Sequence, residues 1–205
     1  DISALGLTRD GNGQDMARGS VELGWQRRYI TGFGLVNKID ALLRGDFYNI
    51  GDRPGEDTES RDSNQSRGFA QANWEVSYPF AKRLEQSQIV LSPVASVTGG
   101  TNVDMDGDIP NEDSQGVTLD SSNIFETNRF AGYDMIDDRA RATYGARAGW
   151  YGDNGYNGEI FFGQSRRFEE KDNPFPIGSG LSDQESDYVG QVSAQFEGAF
   201  NMDYR

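Results

Sequence analysis

Between Leu35 and Phe47 the chain alternates with a period of two. Leu35, Ile39, Ala41, Leu43 and Phe47 share one parity, Lys38, Asp40, Arg44 and Asp46 share the other, and only Leu42 is strongly apolar on the charged side. A helix would scatter those charges around its circumference; a strand puts them all on one face. The pattern recurs along the chain. Ala70, Ala72, Trp74, Val76, Tyr78 and Phe80 oppose Gln71, Asn73, Glu75 and Ser77. Ile89, Leu91, Ala95 and Val97 share a parity that Val90 and Val94 blur. Ala140, Ala142, Tyr144, Ala146, Ala148 and Trp150 oppose Arg141, Thr143, Gly145, Arg147 and Gly149. Weaker repeats cover Tyr156–Phe162, Tyr188–Phe196 and a stub, Phe200–Arg205.

The connections alternate too. Short turns are expected near Tyr29–Phe33, Phe80–Gln86, Gly152–Gly155 and Gly198–Ala199. Long polar loops are expected at Asn49–Arg67, Gly99–Asp138 and Phe168–Glu185, with a medium one at Thr8–Arg18. Brief turns on one side and long loops on the other are the habit of outer-membrane barrels. An Arg or Lys facing lipid at mid-bilayer costs roughly 2–4 kcal/mol, so the apolar parity faces outward and the polar parity, with Lys38, Asp40, Arg44, Asp46, Arg141 and Arg147, faces a wet lumen. Trp25, Trp74, Tyr78, Trp150 and Tyr156, with Phe80, stand near strand ends, where an interfacial aromatic girdle belongs. The fold class expected is therefore all-β: an antiparallel transmembrane β-barrel, of which this chain is a fragment of about nine strands. Both termini fall within strands, and lipid does not tolerate unpaired edges, so residues 1–205 are expected to be part of a single larger barrel domain. A soluble β-sandwich with one solvated face is the alternative that alternation alone permits.

Composition narrows the function. The chain has 205 residues, a net charge of −14, 26 glycines, 12% aromatics, and neither cysteine nor histidine. Disulfides, Cys/His metal sites and Cys- or His-based catalysis are excluded within it. The aromatic content argues against the disorder that its charge and low hydropathy would otherwise suggest. No basic patch exists to neutralise phosphates, so nucleic acid is not an expected partner. No run approaches the ~18 apolar residues of a spanning helix, and no signal peptide opens the sequence.

Several motifs invite chemistry. Asp104-Met-Asp106-Gly-Asp108 and Asp10-Gly-Asn12-Gly-Gln14 resemble calcium loops but lack the glycine and glutamate an EF-hand needs at its sixth and twelfth positions. They read as solvated loop tips, with a loose divalent site as the alternative. Asp137-Asp138 and Glu169-Glu170 read as solvated pairs rather than acid/base dyads, and Ser165 and Ser186 have no histidine to complete a triad. The stretch Asn128-Arg129-Phe130-Ala131-Gly132-Tyr133-Asp134, with Arg139 beyond it, stands out within a linker rich in Ser, Asp and Asn. Its simplest reading is a local ion pair between Arg129 and Asp134, with Phe130 and Tyr133 anchoring the loop in the barrel mouth.

Ile109-Pro-Asn-Glu-Asp-Ser114, Asn123-Ile-Phe125, Asn128–Asp134, Tyr144-Gly145, Gly163-Gln-Ser165, Ser179-Gly-Leu181 and Ser186-Asp-Tyr-Val-Gly190 together resemble the barrel domain of the LPS-assembly protein LptD family, also called OstA or Imp. The match is densest from about Pro93 to Val192. Where the family continues Gly-Tyr-Asp with Arg and an acidic-Gly-Gly turn, this chain has Met135-Ile-Asp-Asp138, with Arg139 displaced; cysteines of some lineages are absent. The resemblance implies a very large barrel, with an N-terminal jellyroll and further strands outside this chain. It implies a lipoprotein plug of the LptE type in the lumen and a periplasmic Lpt bridge reached through the jellyroll. The implied task is moving lipopolysaccharide into the outer leaflet of a Gram-negative outer membrane, without enzymatic chemistry or cofactor. A general porin and a secreted β-sandwich binding module are the competing functions.

Overall fold

The computed structural model describes residues 1–8, 15–53, 61–103, 109–114, 116–169, 174–196 and 200–204. Its strands are β1 (Ile2–Leu7), β2 (Asp15–Ile30), β3 (Val36–Arg53), β4 (Arg61–Ser77), β5 (Phe80–Arg83), β6 (Ser87–Gly100), β7 (Arg141–Gly152), β8 (Asn157–Arg167), β9 (Val189–Phe196) and β10 (Phe200–Tyr204). All belong to one antiparallel sheet in the order β1-β2-β3-β4-β6-β7-β8-β9-β10, with β5 also pairing β6. No helix occurs among the described residues, and no second sheet packs against the first, which removes the sandwich. The sheet is open among the described residues: β1 and β10 end it without a ladder between them.

β4 and β5 are one line of chain broken at Tyr78-Pro79. β4 pairs β6 from Gln71↔Gly100 to Ser77↔Val94, and β5 resumes the pairing from Phe80↔Leu91. Pro79 and Pro93 face this gap, and neither has an N–H to give a ladder. Across it Tyr78 N–H donates to the Pro93 carbonyl at 3.1 Å. The turn expected at Phe80–Gln86 is thereby shortened. The Asn49–Arg67 loop is shorter than expected as well: β3 and β4 stay paired through Asn49↔Asn64 and Ile50↔Ser63 to Arg53↔Arg61, and Asn49 Nδ2 donates to Asn64 Oδ1 at 2.8 Å. The ladder runs on there in a sequence polar but for Ile50, and one apolar residue leaves no alternation to read. The Gly198–Ala199 turn and the Asp10–Gln14 and Asp104–Asp108 motifs lie outside the described residues.

The register aligns the two parities across the sheet. Ile39, Trp74 and Val97 pair in sequence on the apolar face, and Lys38, Glu75 and Ser96 on the other. No charged residue falls on the apolar face across Val36–Ile50, Asn64–Ser77 or any of β6, β7 and β9. Its charged strand residues, Asp15, Arg27, Lys82 and Arg166, all lie near strand ends. The apolar face is exposed: Leu43 is 56%, Phe47 68% and Trp74 52% accessible.

The polar face is covered instead. The described parts of the two long connections, 101–103, 109–114, 116–140, 168–169 and 174–188, fold back across it, so the core lies between sheet and irregular chain. Ile124 and Phe125 pack with Val94, Phe161 and Val189 of the sheet. Ile136 and Val103 pack with Phe69 and Leu42, and Ile109 meets Met16, Tyr48 and Ile50. A separate cluster of Val117, Phe130, Phe175 and Leu181 joins the two segments. Two of the exceptions to alternation, Leu42 and Val94, are thus places where a segment sits; the third, Val90, borders a cavity.

Candidate functional site

The site is the buried polar junction between the sheet and stretch 109–138. Its centre is Asp134. Arg18 of β2 reaches the Asp134 carboxylate at 2.5 Å and Asp113 at 2.7 Å. Arg67 of β4 holds Asp46 at 2.8 Å and donates to the Asp134 carbonyl at 2.7 Å and to Tyr48 Oη at 2.8 Å. Arg44 pairs with Asp46 at 3.3 Å and Glu22 at 3.5 Å, and both Arg44 and Arg67 donate to the Tyr133 carbonyl. The guanidiniums of Arg18 and Arg44 both lie over the Tyr133 ring, 5.0 and 4.6 Å from its centroid, an arrangement in which the ring quadrupole attracts both cations.

The backbone here is shaped by Asp113. Its carboxylate accepts the N–H groups of Tyr133 at 2.9 Å and Asp134 at 3.1 Å, while Asp134 accepts those of Glu112 and Asp113 at 2.9 and 3.0 Å. Burial alone would raise the Asp113 pKa; Arg18 and those N–H donors outweigh it and hold the carboxyl well below the usual carboxylate range. Gly132 makes the crossing possible. Its φ is +88°, and an added Cβ would lie 2.6 Å from the Asp113 carbonyl oxygen.

A second cluster forms at β7 and β8. Arg141 pairs with Asp137 at 3.1 Å but spends most of its donors on main-chain carbonyls, of Glu126 at 2.6 Å and Thr127 at 2.7 Å. Arg129 stands 3.6 Å from Asp137 and donates to Ser165 Oγ at 2.7 Å and the Ile124 carbonyl at 3.1 Å. Ser165 also meets Thr143 Oγ1 at 3.0 Å, and its N–H donates to Ser186 Oγ at 2.9 Å. Gln71 reaches over from β4 to the Asp137 carbonyl at 2.6 Å. Burial, with Arg141 and Arg167 nearby, lowers the Arg129 pKa to about 9 against the pull of Asp137.

Several expectations are corrected. Arg129 and Asp134 do not pair locally: each is tied to a different part of the sheet, Asp134 to a residue 116 positions away. Asp137 and Asp138 are not solvated but 1% and 3% accessible; Asp138 accepts the Val103 N–H and pairs with Arg139 at 3.4 Å. Asn128 accepts the N–H of Asp137 at 3.1 Å, and Phe130 stacks on Phe175 with centroids 4.7 Å apart. Arg139 also pairs with Glu169 at 3.6 Å.

Of the polar-wall residues, Arg44, Asp46 and Arg141 join these clusters. Lys38 and Asp40 pair with each other at 3.4 Å, nearer the short-turn edge, and Arg147 lies over the Phe125 and Phe161 rings at 5.7 and 5.2 Å. Trp25, Trp74 and Trp150 are exposed on the apolar face. Tyr78 donates to the Phe33 carbonyl at 2.8 Å, and Tyr156 meets Phe196 edge-on at 6.0 Å, both beside short turns. Arg18 and Arg67, which carry the first cluster, were hidden in the sequence at the margins of expected loops. Their parity was the available signal, since Arg18 shares it with Glu22 and Arg67 with Gln71. Among the described residues no cluster of three acidic side chains is arranged to hold a metal ion.

The stretch that docks in this junction carries the motifs Ile109–Ser114, Asn123–Phe125 and Asn128–Asp134, and the chain matches the family described as LPS transport system D over residues 4–205. The chain belongs to the LptD family. It is 33% identical over 104 residues to an LPS-assembly protein LptD of Pseudomonas entomophila (strain L48), covering 48% of this chain and 11% of that protein. It is 32% identical over 99 residues to an LPS-assembly protein LptD of Pseudomonas syringae pv. syringae (strain B728a), covering 47% of this chain and 11% of that protein. The match thus spans about a tenth of the length of these LptD relatives.

Proposed function

We propose that this chain is a section of the wall of an outer-membrane β-barrel that inserts lipopolysaccharide into the outer leaflet, acting as a conduit and not as an enzyme. The observation that carries the reading is the segregation of charge on the sheet. Reversing the faces of β3 would put Lys38 and Arg44 into lipid, at roughly 2–4 kcal/mol for each cation near the midplane. From Tyr29, which pairs with Asn37, to Phe47 is ten residues of β3. That is about 33 Å along a strand, or about 25 Å of bilayer at the ~40° tilt of barrel strands. Tyr29, Trp74 and Trp150 would mark the periplasmic interface, and Phe47 and Tyr188 the outer one.

In this reading the polar face lines the lumen, and stretch 109–138 closes part of its outer mouth. Residues 1–205 form part of one barrel domain, while a periplasmic jellyroll, the remaining strands and an LptE-type plug belong to the rest of the assembly. Membership of the LptD family supports the lipopolysaccharide cargo and the Gram-negative outer membrane as its place.

The test uses single cysteines placed in this chain, with any cysteine elsewhere in the full-length protein replaced by serine. In the full-length protein reconstituted in vesicles, a fluorophore at positions 43, 72, 97 or 146 is expected to be quenched by brominated acyl chains. One at 71, 96 or 143 is expected to escape. Equal quenching at both sets would remove the membrane assignment. Depletion of the protein in cells should then remove lipopolysaccharide from the surface without loss of its synthesis; unaltered surface lipopolysaccharide would remove the cargo.

A further inference from the structure

Not every cation on the polar face is matched. Arg18, Arg44, Arg67 and Arg141 each have a carboxylate partner beneath the docked segment. Arg28 and Arg147 lie on the same face, toward the short turns, and no described carboxylate comes within ion-pair distance of either. Together with Lys38 they line a cavity of about 360 Å³ whose wall also holds Glu75, Ser77 and Ser92. Glu75 is the one carboxylate there against three cations, and Lys38 is already engaged by Asp40 from the side. Arg147 also borders an adjoining space of about 250 Å³ that adds Tyr151, Glu159 and Gln191.

Arg147 is held by stacking instead of by charge. Its guanidinium lies over Phe161 of the wall and Phe125 of the docked segment, at 5.2 and 5.7 Å. Ring contacts spend none of the guanidinium's N–H groups on a carboxylate, and a guanidinium so left can take two oxygens of a phosphate at once. An excess of positive charge in a concave, partly walled space concentrates anions.

We propose that Arg147, Arg28 and Lys38 form an anion subsite that takes a phosphate group of a phosphorylated glycolipid as its headgroup passes along the polar face. The proposal rests on the barrel reading and names the part of the cargo that this end of the wall recognises. Beside it, Ser92, Gln191 and Tyr151, whose hydroxyl donates to Glu159 at 2.6 Å, line a space whose oxygens can accept from the hydroxyls of a sugar ring. Because Phe125 belongs to the docked segment, occupation of the subsite is felt by the segment that closes the mouth.

The test compares two lipids on the full-length protein in micelles, with its co-purifying subunits. One is lipid A carrying two phosphates; the other is the same lipid with both removed. Arg147→Gln combined with Arg28→Gln is expected to weaken binding of the phosphorylated lipid at least about tenfold, as loss of charge-assisted hydrogen bonds does, and to leave the dephosphorylated lipid unchanged. Arg147→Lys should recover part of the preference. Cold gel mobility checks that the variants stay folded. Equal weakening for both lipids, or for neither, overturns the subsite. So does loss of an acidic co-purifying protein with the phosphate preference intact, which would give the cavity to that protein. Should the wild type take up neither lipid yet bind pyrophosphate in a manner abolished by Arg147→Gln, the subsite stands and the lipopolysaccharide function falls.

Discussion

The two clusters that fasten stretch 109–138 differ in how their charge is answered. Around Asp134, Arg18, Arg44 and Arg67 face Asp46, Asp113, Asp134 and Glu22, so each guanidinium meets a side-chain carboxylate. Around Asp137, Arg129 and Arg141 share a single carboxylate and direct most of their donors to main-chain carbonyls and a serine hydroxyl. The first cluster is an ion-pair clamp, redundant in its partners. The second is a scaffold in which arginine satisfies the unpaired carbonyls of an irregular backbone, with Asp137 as its keystone. Redundancy spreads the cost of losing any one member; a keystone concentrates it.

The largest effect is therefore expected at Asp137. Asp137→Ala strands two buried guanidiniums and should destabilise the docked segment by about 3–5 kcal/mol, read as accelerated hydrogen exchange and proteolysis within 109–138 while the strands stay protected. A cost no greater than that of Asp46→Ala would break the comparison. Next comes Arg18→Met, expected at about 2–3 kcal/mol, since Asp134 keeps the N–H donors of Glu112 and Asp113. A double-mutant cycle of Arg18 with Asp134 should return a coupling of about 1–3 kcal/mol. Gly132→Ala follows at about 1–3 kcal/mol, from the positive φ and the contact with Asp113, measured by the same exchange.

Acid sharpens the contrast more gently. The Asp113 pKa is depressed in the folded state, so its contribution is fully present above the ordinary carboxylate value near ~3.9 and is lost as pH falls below it toward the depressed value. Segment protection should be flat from neutral pH to about pH 5 and decline below about pH 4. Asp113→Asn should remove that decline. The smallest effect is Arg83→Ala: its bond to Asp153 at 2.9 Å is exposed at the short-turn edge, far from both clusters, and thermal stability should change by less than about 1 kcal/mol.

Much of this architecture was legible in the amino-acid order, for a physical reason. A strand with one apolar and one charged face writes its orientation into every second residue, and β3, β4 and β7 could be placed from that pattern alone. β1 could not: Leu5 and Leu7 share the parity of Ser3 and oppose Ile2 and Ala4, so neither face of that short strand is marked. The ends of β3 and β4 beyond Asn49 and Asn64 were equally silent, Ile50 standing alone in a polar run. The junction was the least legible part. Contacts such as Arg18 with Asp134 join residues 116 apart and leave no periodic trace, so a nearer partner, Arg129, was the natural but incorrect choice for Asp134. What did leave a trace were the misfits: Leu42 and Val94 break the alternation because a segment packs on them.

The interruption at Tyr78-Pro79 opposite Pro93 has a mechanical consequence. Two register pairs between β4–β5 and β6 are missing there, with one N–H bond left across the gap, so the ladder has a local crease between the β2–β4 and β6–β8 panels. The Asp134 clamp grips the β2–β4 panel, and Arg129 and Arg141 grip stretch 124–137 against the β7–β8 panel. Bending along the crease pulls on both grips at once. The short run from Tyr133 to Asp137 then acts as a splint across the two panels.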